Sequence, residues 1–212
     1  MNQEERTRRS RGSILDAALG LFSTQGYRAT SMRDIAVRAK VSIGNLYHHF
    51  QDKETIFREL LDVFWRVVAT PDFPVTRALT SGHFPEDLEA IGRAAQESIA
   101  QYRPYVRLIY VDVVEFEGSH IRKFYREMAG LFDRFVELHK DEIRLEGKLR
   151  TDIPAGETVM FVFYTFLHHF AIELVFGVPD MYGKGASQLI GEISQILRHG
   201  ILQRPAAGIS HA

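Results

Sequence analysis

The chain of 212 residues has no cysteine, one tryptophan and seven prolines. Without cysteine it can hold no disulfide framework, thiolate zinc site, iron–sulfur cluster or cysteine nucleophile, a usage that suits a reducing compartment. A hydrophobic leader is missing: the opening MNQEERTRRS is polar throughout, so no secretory signal is expected. An unbroken apolar run is missing as well. The most apolar stretch, residues 159–178, is interrupted by Thr165, His168, His169 and Glu173, which favours a buried helix over a membrane span. No HExxH pair, GxSxG elbow, P-loop or GxGxxG run occurs, so the common signatures of metal-assisted, nucleophilic and nucleotide chemistry are absent. The expectation is a cytoplasmic protein with no membrane association.

What remains is an ordinary globular mix, 45% hydrophobic and 25% charged, long enough for one large domain or two small ones. The net charge of −1 conceals an asymmetry. Residues 1–58 carry ten basic against six acidic side chains, net +4, and the remainder sixteen against twenty-one, net −5. A basic head on an acidic body suggests that the head meets a polyanion.

Helical periodicity recurs along the chain and no segment sustains strand alternation, which predicts an all-α fold. The pattern places helices at about 6–24, 31–38, 42–48 and from Asp52 onward. A loop is expected from Pro71 to about residue 85, followed by helices at about 86–102, 104–116, 119–146, 156–176 and 185–202. Gly26, Gly147 and Gly177 fit helix stops, and Pro104 a first turn. The division that follows is a helix-turn-helix head over 1–55, a larger helical body over 56–205 and a disordered tail over 206–212.

The informative stretch is TSMRDIAVRAKVSIGNLYHHF, residues 30–50. Ser31 with Asp34 three residues on has the form of a capping box, and Ser42 offers a second N-cap almost at once. Two short helices joined by a three-residue turn make a helix-turn-helix, whose second member enters a DNA major groove. Ile43, Leu46 and Phe50 have the spacing to pack inward, leaving Ser42, Gly44, Asn45, Tyr47 and His48 on other surfaces. Asn pairs with adenine, Tyr, Ser and His bond phosphates or base edges, and Gly44 permits close approach. Lys53 at a helix start suits a phosphate. The spacing by itself is equally that of two short capped helices in any bundle.

Residues 11–61 closely resemble the DNA-binding head of the TetR family of transcriptional regulators. The resemblance is carried by Ile14, Ala17, Ala18 and Phe22, then Gly26-Tyr27, Thr30-Ser31 and Asp34-Ile35-Ala36, then Val41-Ser42, Gly44, Leu46-Tyr47, His49-Phe50 and Lys53-Glu54. It covers about a quarter of the chain in one gap-free register; the body matches only in helix count and length. It implies a homodimeric repressor that sets two recognition helices in successive grooves of a palindromic double-stranded DNA operator, and that an effector in the body releases. The DNA-binding set then comprises Thr30, Ser31, Arg33, Lys40, Ser42, Ile43, Gly44, Asn45, Tyr47, His48 and Lys53. Lys40 stands where the family most often has glycine; a left-handed backbone there would cost about 1 kcal/mol.

For the dimer, the last two helices are expected to supply Val162, Phe166, Phe170, Leu189, Ile193, Ile196 and Leu197, with a monomer that uses both helices as core as the alternative. The body's aromatics suggest a small apolar or aromatic effector, held among Trp65, Tyr102, Tyr105, Ile109, Asp112, Phe116, Phe124, Met128, Phe163 and Phe166. Asp112, Glu115 and Glu117 would favour a cation, Arg103 and Arg107 an anion, and that choice stays open. His168, His169 and Glu173, with His120 or Asp112, have loose metal spacing, but a hydrogen-bonded core histidine is the simpler reading. No metal, cofactor or catalytic residue is expected. The competing readings are an enzyme with a vestigial head, which specific DNA binding would exclude, and a sequence-indifferent DNA binder, which steep salt dependence without discrimination would reveal.

Overall fold

The computed structural model describes residues 2–81, 84–140, 149 and 152–201. Among these the chain forms nine helices and no strand: α1 Gln3–Gln25, α2 Met32–Ala39, α3 Ile43–His49, α4 Lys53–Val68, α5 Pro74–Thr80, α6 Leu88–Phe116, α7 Ile121–Leu138, α8 Ala155–Leu174 and α9 Ala186–Ile201. The all-α expectation holds. The tail 206–212 and the end of the helix expected to reach 146 lie outside the described residues.

Two compact units emerge, residues 1–69 with 102–125, and residues 70–101 with 126–212. The first unit is therefore larger than the head expected at 1–55. Its core joins Ile14, Ala18 and Phe22 of α1, Ile35 of α2 and Leu46 of α3 to Ile56, Phe57, Leu60 and Leu61 of α4, and adds Leu108 and Ile121. Each of the Ile, Leu and Phe side chains contributes about 1.5–3 kcal/mol by leaving water. The inner face of α4 needs the end of α6 to cover it, so no boundary falls at residue 55. The chain passes between the units at 69/70, 101/102 and 125/126, and the second crossing falls at Tyr102, where the helical path of α6 breaks (φ −104°, ψ 18°) two residues before Pro104. Proline lacks the amide that would continue the ladder and crowds the preceding turn.

In the second unit, Leu88, Ile91, Ala95 and Ile99 of α6 are buried, as are Val159, Val162, Phe166 and Phe170 of α8 and Ile190 and Leu197 of α9. Gly92 permits their approach: a Cβ there would stand 2.7 Å from Ile190 Cγ2 and 2.9 Å from Phe166 Cε1. One helix was not expected. The segment 74–80 reads as loop because of its prolines, yet Pro74 occupies the first turn of α5, where its missing amide costs nothing. No helix among the described residues is long and apolar enough to cross a membrane.

Candidate nucleic-acid interface

Local hydrogen bonds build the α2–α3 pair. The Ser31 hydroxyl accepts from Asp34 N at 3.1 Å, and Ser31 N donates back to Asp34 Oδ2 at 2.9 Å. The Ser31 hydroxyl, which also donates to Asp34 Oδ2 at 2.6 Å, and after it the Ser31 amide hold the Asp34 carboxyl below its ordinary range. Lys40 ends α2 in the left-handed region (φ 57°, ψ 41°), its amide donating to Val37 O at 3.1 Å and the Val41 amide to Ala36 O at 3.0 Å, a Schellman closure. Ser42 then caps α3 by accepting from Asn45 N at 3.1 Å.

The faces of α3 separate sharply. Leu46 is fully buried and Phe50 nearly so, whereas Ile43 is 44% and Tyr47 53% exposed. Ile43 was expected to serve either face; it stands outward. Gly44 and His48 are exposed beside it, and a Cβ on Gly44 would meet nothing within 4 Å. Ile43, Gly44, Tyr47 and His48 form one outward surface, and Val37 of α2, 72% exposed, adds an apolar side chain that the sequence reading did not single out. Its signal was available: Val37 falls opposite the buried Ile35-Ala36 pair.

Several expected contacts take other roles. Thr30 is interior, its hydroxyl donating to Gly26 O at 2.8 Å and accepting from Gln25 Nε2 at 3.2 Å, so it builds the turn before α2. Asn45 is half-buried against α1, with Nδ2 donating to Ser10 Oγ at 3.4 Å. Ser31 and Ser42 spend their hydroxyls on caps. Lys53 Nζ donates to Tyr27 O and Thr30 O, both at 2.7 Å, and lies 4.1 Å above the Tyr27 ring. Burial lowers its pKa, against a smaller opposing effect of Glu115. Arg33 and Lys40 are exposed.

Of the expected effector residues, Trp65, Tyr102, Tyr105, Ile109, Asp112, Phe116 and Phe124 lie in the first unit and Phe163 and Phe166 in the second, while the side chain of Met128 lies outside the described residues. Trp65 stacks on Phe124 with centroids 3.7 Å apart, Tyr105 on Phe64 at 5.3 Å, and Phe116 packs edge-on against Tyr27 at 4.7 Å. Asp112 is fully buried and satisfied, accepting from His120 Nδ1 at 2.6 Å and Ile121 N at 3.2 Å. A free pocket carboxylate at 112 is thus not what the fold presents, because that side chain caps the start of α7. Glu115 pairs with Arg28 at 2.6 Å and Arg107 donates to Ser23 O at 3.3 Å, so these charges are also engaged within the unit. A shallow depression, open to solvent, lies between α8 and α9, lined by His169, Glu173, Met181, Lys184 and neighbours that include none of the expected effector set.

The dimer set divides likewise. Val162, Phe166, Phe170 and Leu197 are buried within the chain, Leu189 and Ile193 half-buried, and Ile196 is 73% exposed. Periodicity could not assign the faces of α8, which is apolar nearly all round. Its outward apolar residue is Phe161, 60% exposed. His169 Nε2 lies 3.9 Å from Glu173 Oε2, and among the described residues no three of His, Cys, Asp and Glu gather as a metal site would require.

Comparison with known proteins places this geometry. The family model for bacterial regulatory proteins of the tetR family matches residues 14–60. The transcriptional repressor KstR2 of Rhodococcus jostii is 48% identical over 160 residues, covering 72% of this chain and 74% of that protein. KstR2 of Mycobacterium tuberculosis is 32% identical over 156 residues, covering 72% and 75%. The solved structure of the latter, a ketosteroid transcriptional regulator, superposes with a TM-score of 0.52 at 24% identity over 92% of this chain and 95% of that one. The fatty acid degradation regulator FadR of Bacillus halodurans gives 0.60 at 17% identity over 88% and 93%, a likeness of fold. With the outward surface of α3, these relationships establish that the chain belongs to the tetR family of bacterial regulatory proteins, DNA-binding transcriptional regulators rather than enzymes.

Proposed function

We propose that the protein is a homodimeric, ligand-released repressor that reads a palindromic operator with the outward surface of α3. The observation that carries this reading is Gly44. Inside a seven-residue helix, glycine costs roughly 0.5–1 kcal/mol relative to alanine, and open space around it means that no neighbour in the chain requires it. A surface pressed against a major groove would. Ile43 and Val37 offer apolar contact to thymine methyl groups, Tyr47 and His48 hydrogen bonds to phosphates or base edges, and Arg33, Lys40 and the third N–H of Lys53 charge for the backbone. A protein of this kind acts where the genome is, in the cytoplasm.

The dimer reading rests on the exposed apolar side chains of α8 and α9, Phe161 and Ile196, with Leu189 and Ile193 along the α9 stripe. Two-fold symmetry of such a pair would match a palindrome. Ile196→Glu places a charge on that stripe and is expected to yield monomers that sediment as such and lose operator binding; a dimeric variant would place the interface elsewhere. The naming of a relative as a ketosteroid regulator supports an apolar, ring-containing effector. Selection of duplexes from a random pool tests the operator reading. Enrichment of a palindrome whose half-sites lie one helical turn apart is the expected result, and an unenriched pool would refute it.

A further inference from the structure

Residues 2–13, NQEERTRRSRGS, contain no hydrophobic side chain, yet α1 begins at Gln3 and its first turns stand as helix with side chains 2–9 exposed. Amphipathic helices are held by an apolar face, and this part has none. A capping box supports it, Glu5 N donating to Asn2 Oδ1 at 2.8 Å and Asn2 N to Glu5 Oε2 at 3.0 Å. Gly12, with open space around it, weakens the helix again just behind. Packing within the chain gives these turns nothing to do.

Their position does. Ser10 touches α3 through Asn45, and Arg11 lies 4.7 Å above the Phe50 ring while pairing with Glu59. Helix α1 therefore passes the recognition helix at Ser10, with Arg11 against Phe50 just past the end of α3, and the seven residues before them continue beyond that contact for about 10 Å. An arginine side chain adds several more, on the scale of the roughly 12 Å between the phosphate rims of a major groove. Arg6 lies one turn before Ser10 on the same face, and Arg9 shares its stripe three residues on, whereas Arg8 points to the opposite side. Among the described residues none of the three forms an ion pair, while Arg11, where packing begins, does.

We propose that the first turns of α1 are an accessory phosphate clamp, in which Arg6 and Arg9 bind the DNA backbone beside the groove that α3 occupies. The inference rests on the DNA-binding reading of α3. Arginines on an exposed helix with no ion-pair partner to orient them neutralise phosphates without reading bases, so they add affinity to every sequence alike. Glu4 and Glu5 on the same turns temper the field, which leaves the contact to the arginine stripe rather than to net charge.

The test uses the full chain and two labelled duplexes of equal length, one selected by the protein from a random pool and one scrambled, titrated across a salt series. R6Q/R9Q is expected to weaken both duplexes by similar factors, to keep their ratio, and to reduce the slope of log K against log salt by about 1.8 per head. R8Q is expected to leave the slope as in the wild type, and circular dichroism to show α-helical content unchanged in both variants. An unchanged slope in R6Q/R9Q overturns the clamp. Loss confined to the selected duplex also overturns it, because it would make these arginines base readers, and an equal slope loss in R8Q would show bulk charge acting instead of a face. A wild type that binds neither duplex refutes the DNA-binding reading itself, an outcome separate from wild-type binding with an unaltered variant slope.

Discussion

Replacing Lys53 with methionine keeps the hydrocarbon stem of the side chain and removes its ammonium. That ammonium donates to Tyr27 O and Thr30 O at 2.7 Å each and covers the Tyr27 ring at 4.1 Å, so it pins the link between α1 and α2 to the first turn of α4. Hydrogen bonds from a charged donor contribute about 1.5–3 kcal/mol when buried. Lys53 is half-buried and water can reach freed carbonyls, which brings each bond to about 1 kcal/mol. The cation–π contact adds about 0.5–1 kcal/mol, and relief of the ammonium's desolvation, the main cause of its lowered pKa, offsets part of the total. The net expectation is a loss of about 2 kcal/mol, a melting temperature lower by roughly 4–8 °C for a chain of this size. Thermal unfolding without DNA, followed by circular dichroism, is the assay. A variant as stable as the wild type would refute the clamp on the turn, whatever its DNA affinity.

Gly44→Ala is expected to raise stability by roughly 0.5–1 kcal/mol, because the added methyl meets open space and alanine favours helix. It should weaken operator binding at least tenfold; unchanged affinity would show that α3 does not approach DNA at that point. Lys40→Gly relieves the left-handed residue at φ 57°, and after allowance for the greater freedom of glycine in the unfolded chain the gain is about 0.5–1 kcal/mol, readable as a higher urea midpoint at unchanged slope. The pH dependence has two limbs. Asp34 and Asp52 titrate below their ordinary 3.8, held there by bonds with Ser31 and with the Thr55 amide respectively, so their contribution is full above that value and is lost as pH falls through the lower, folded-state pKa. Tyr27 is pushed up from 10.0 to about 12, by burial first and then by Glu54 and nearby acids; its contribution is full below pH 10 and is lost as pH rises from 10 to 12. An acid-unfolding midpoint unmoved by Asp52→Asn would contradict the first limb, and a Tyr27 absorbance titration near 10 the second.

The parts of the site legible from sequence are those made by neighbours in the chain. Ser31 with Asp34, Ser42 with Asn45 N, and Asp52 with Thr55 N are bonds across three residues, so residue type and spacing suffice to place three helix starts and the turn between α2 and α3. Lys40 is legible in the same way: a turn that closes back on Val37 and Ala36 needs a left-handed residue whatever packs around it. The short helix at Pro74 escaped because proline reads equally as a loop residue and as the first residue of a helix.

Facing is another matter. Asn45 turns toward α1 because Ser10, 35 residues earlier, stands beside it. Lys53 turns inward because two carbonyls more than twenty residues before it converge there. In α8 the apolar residues surround the helix, so periodicity could not tell Phe166, buried against Gly92, from Phe161, left in solvent. The sequence alone determined where α2, α3 and α4 begin and where the turn between α2 and α3 falls, because those depend on hydrogen bonds within a few residues. Only the tertiary structure decided which side chains remain free to meet DNA, effector or partner, because burial is conferred by residues tens of positions away that the chain must fold to bring near.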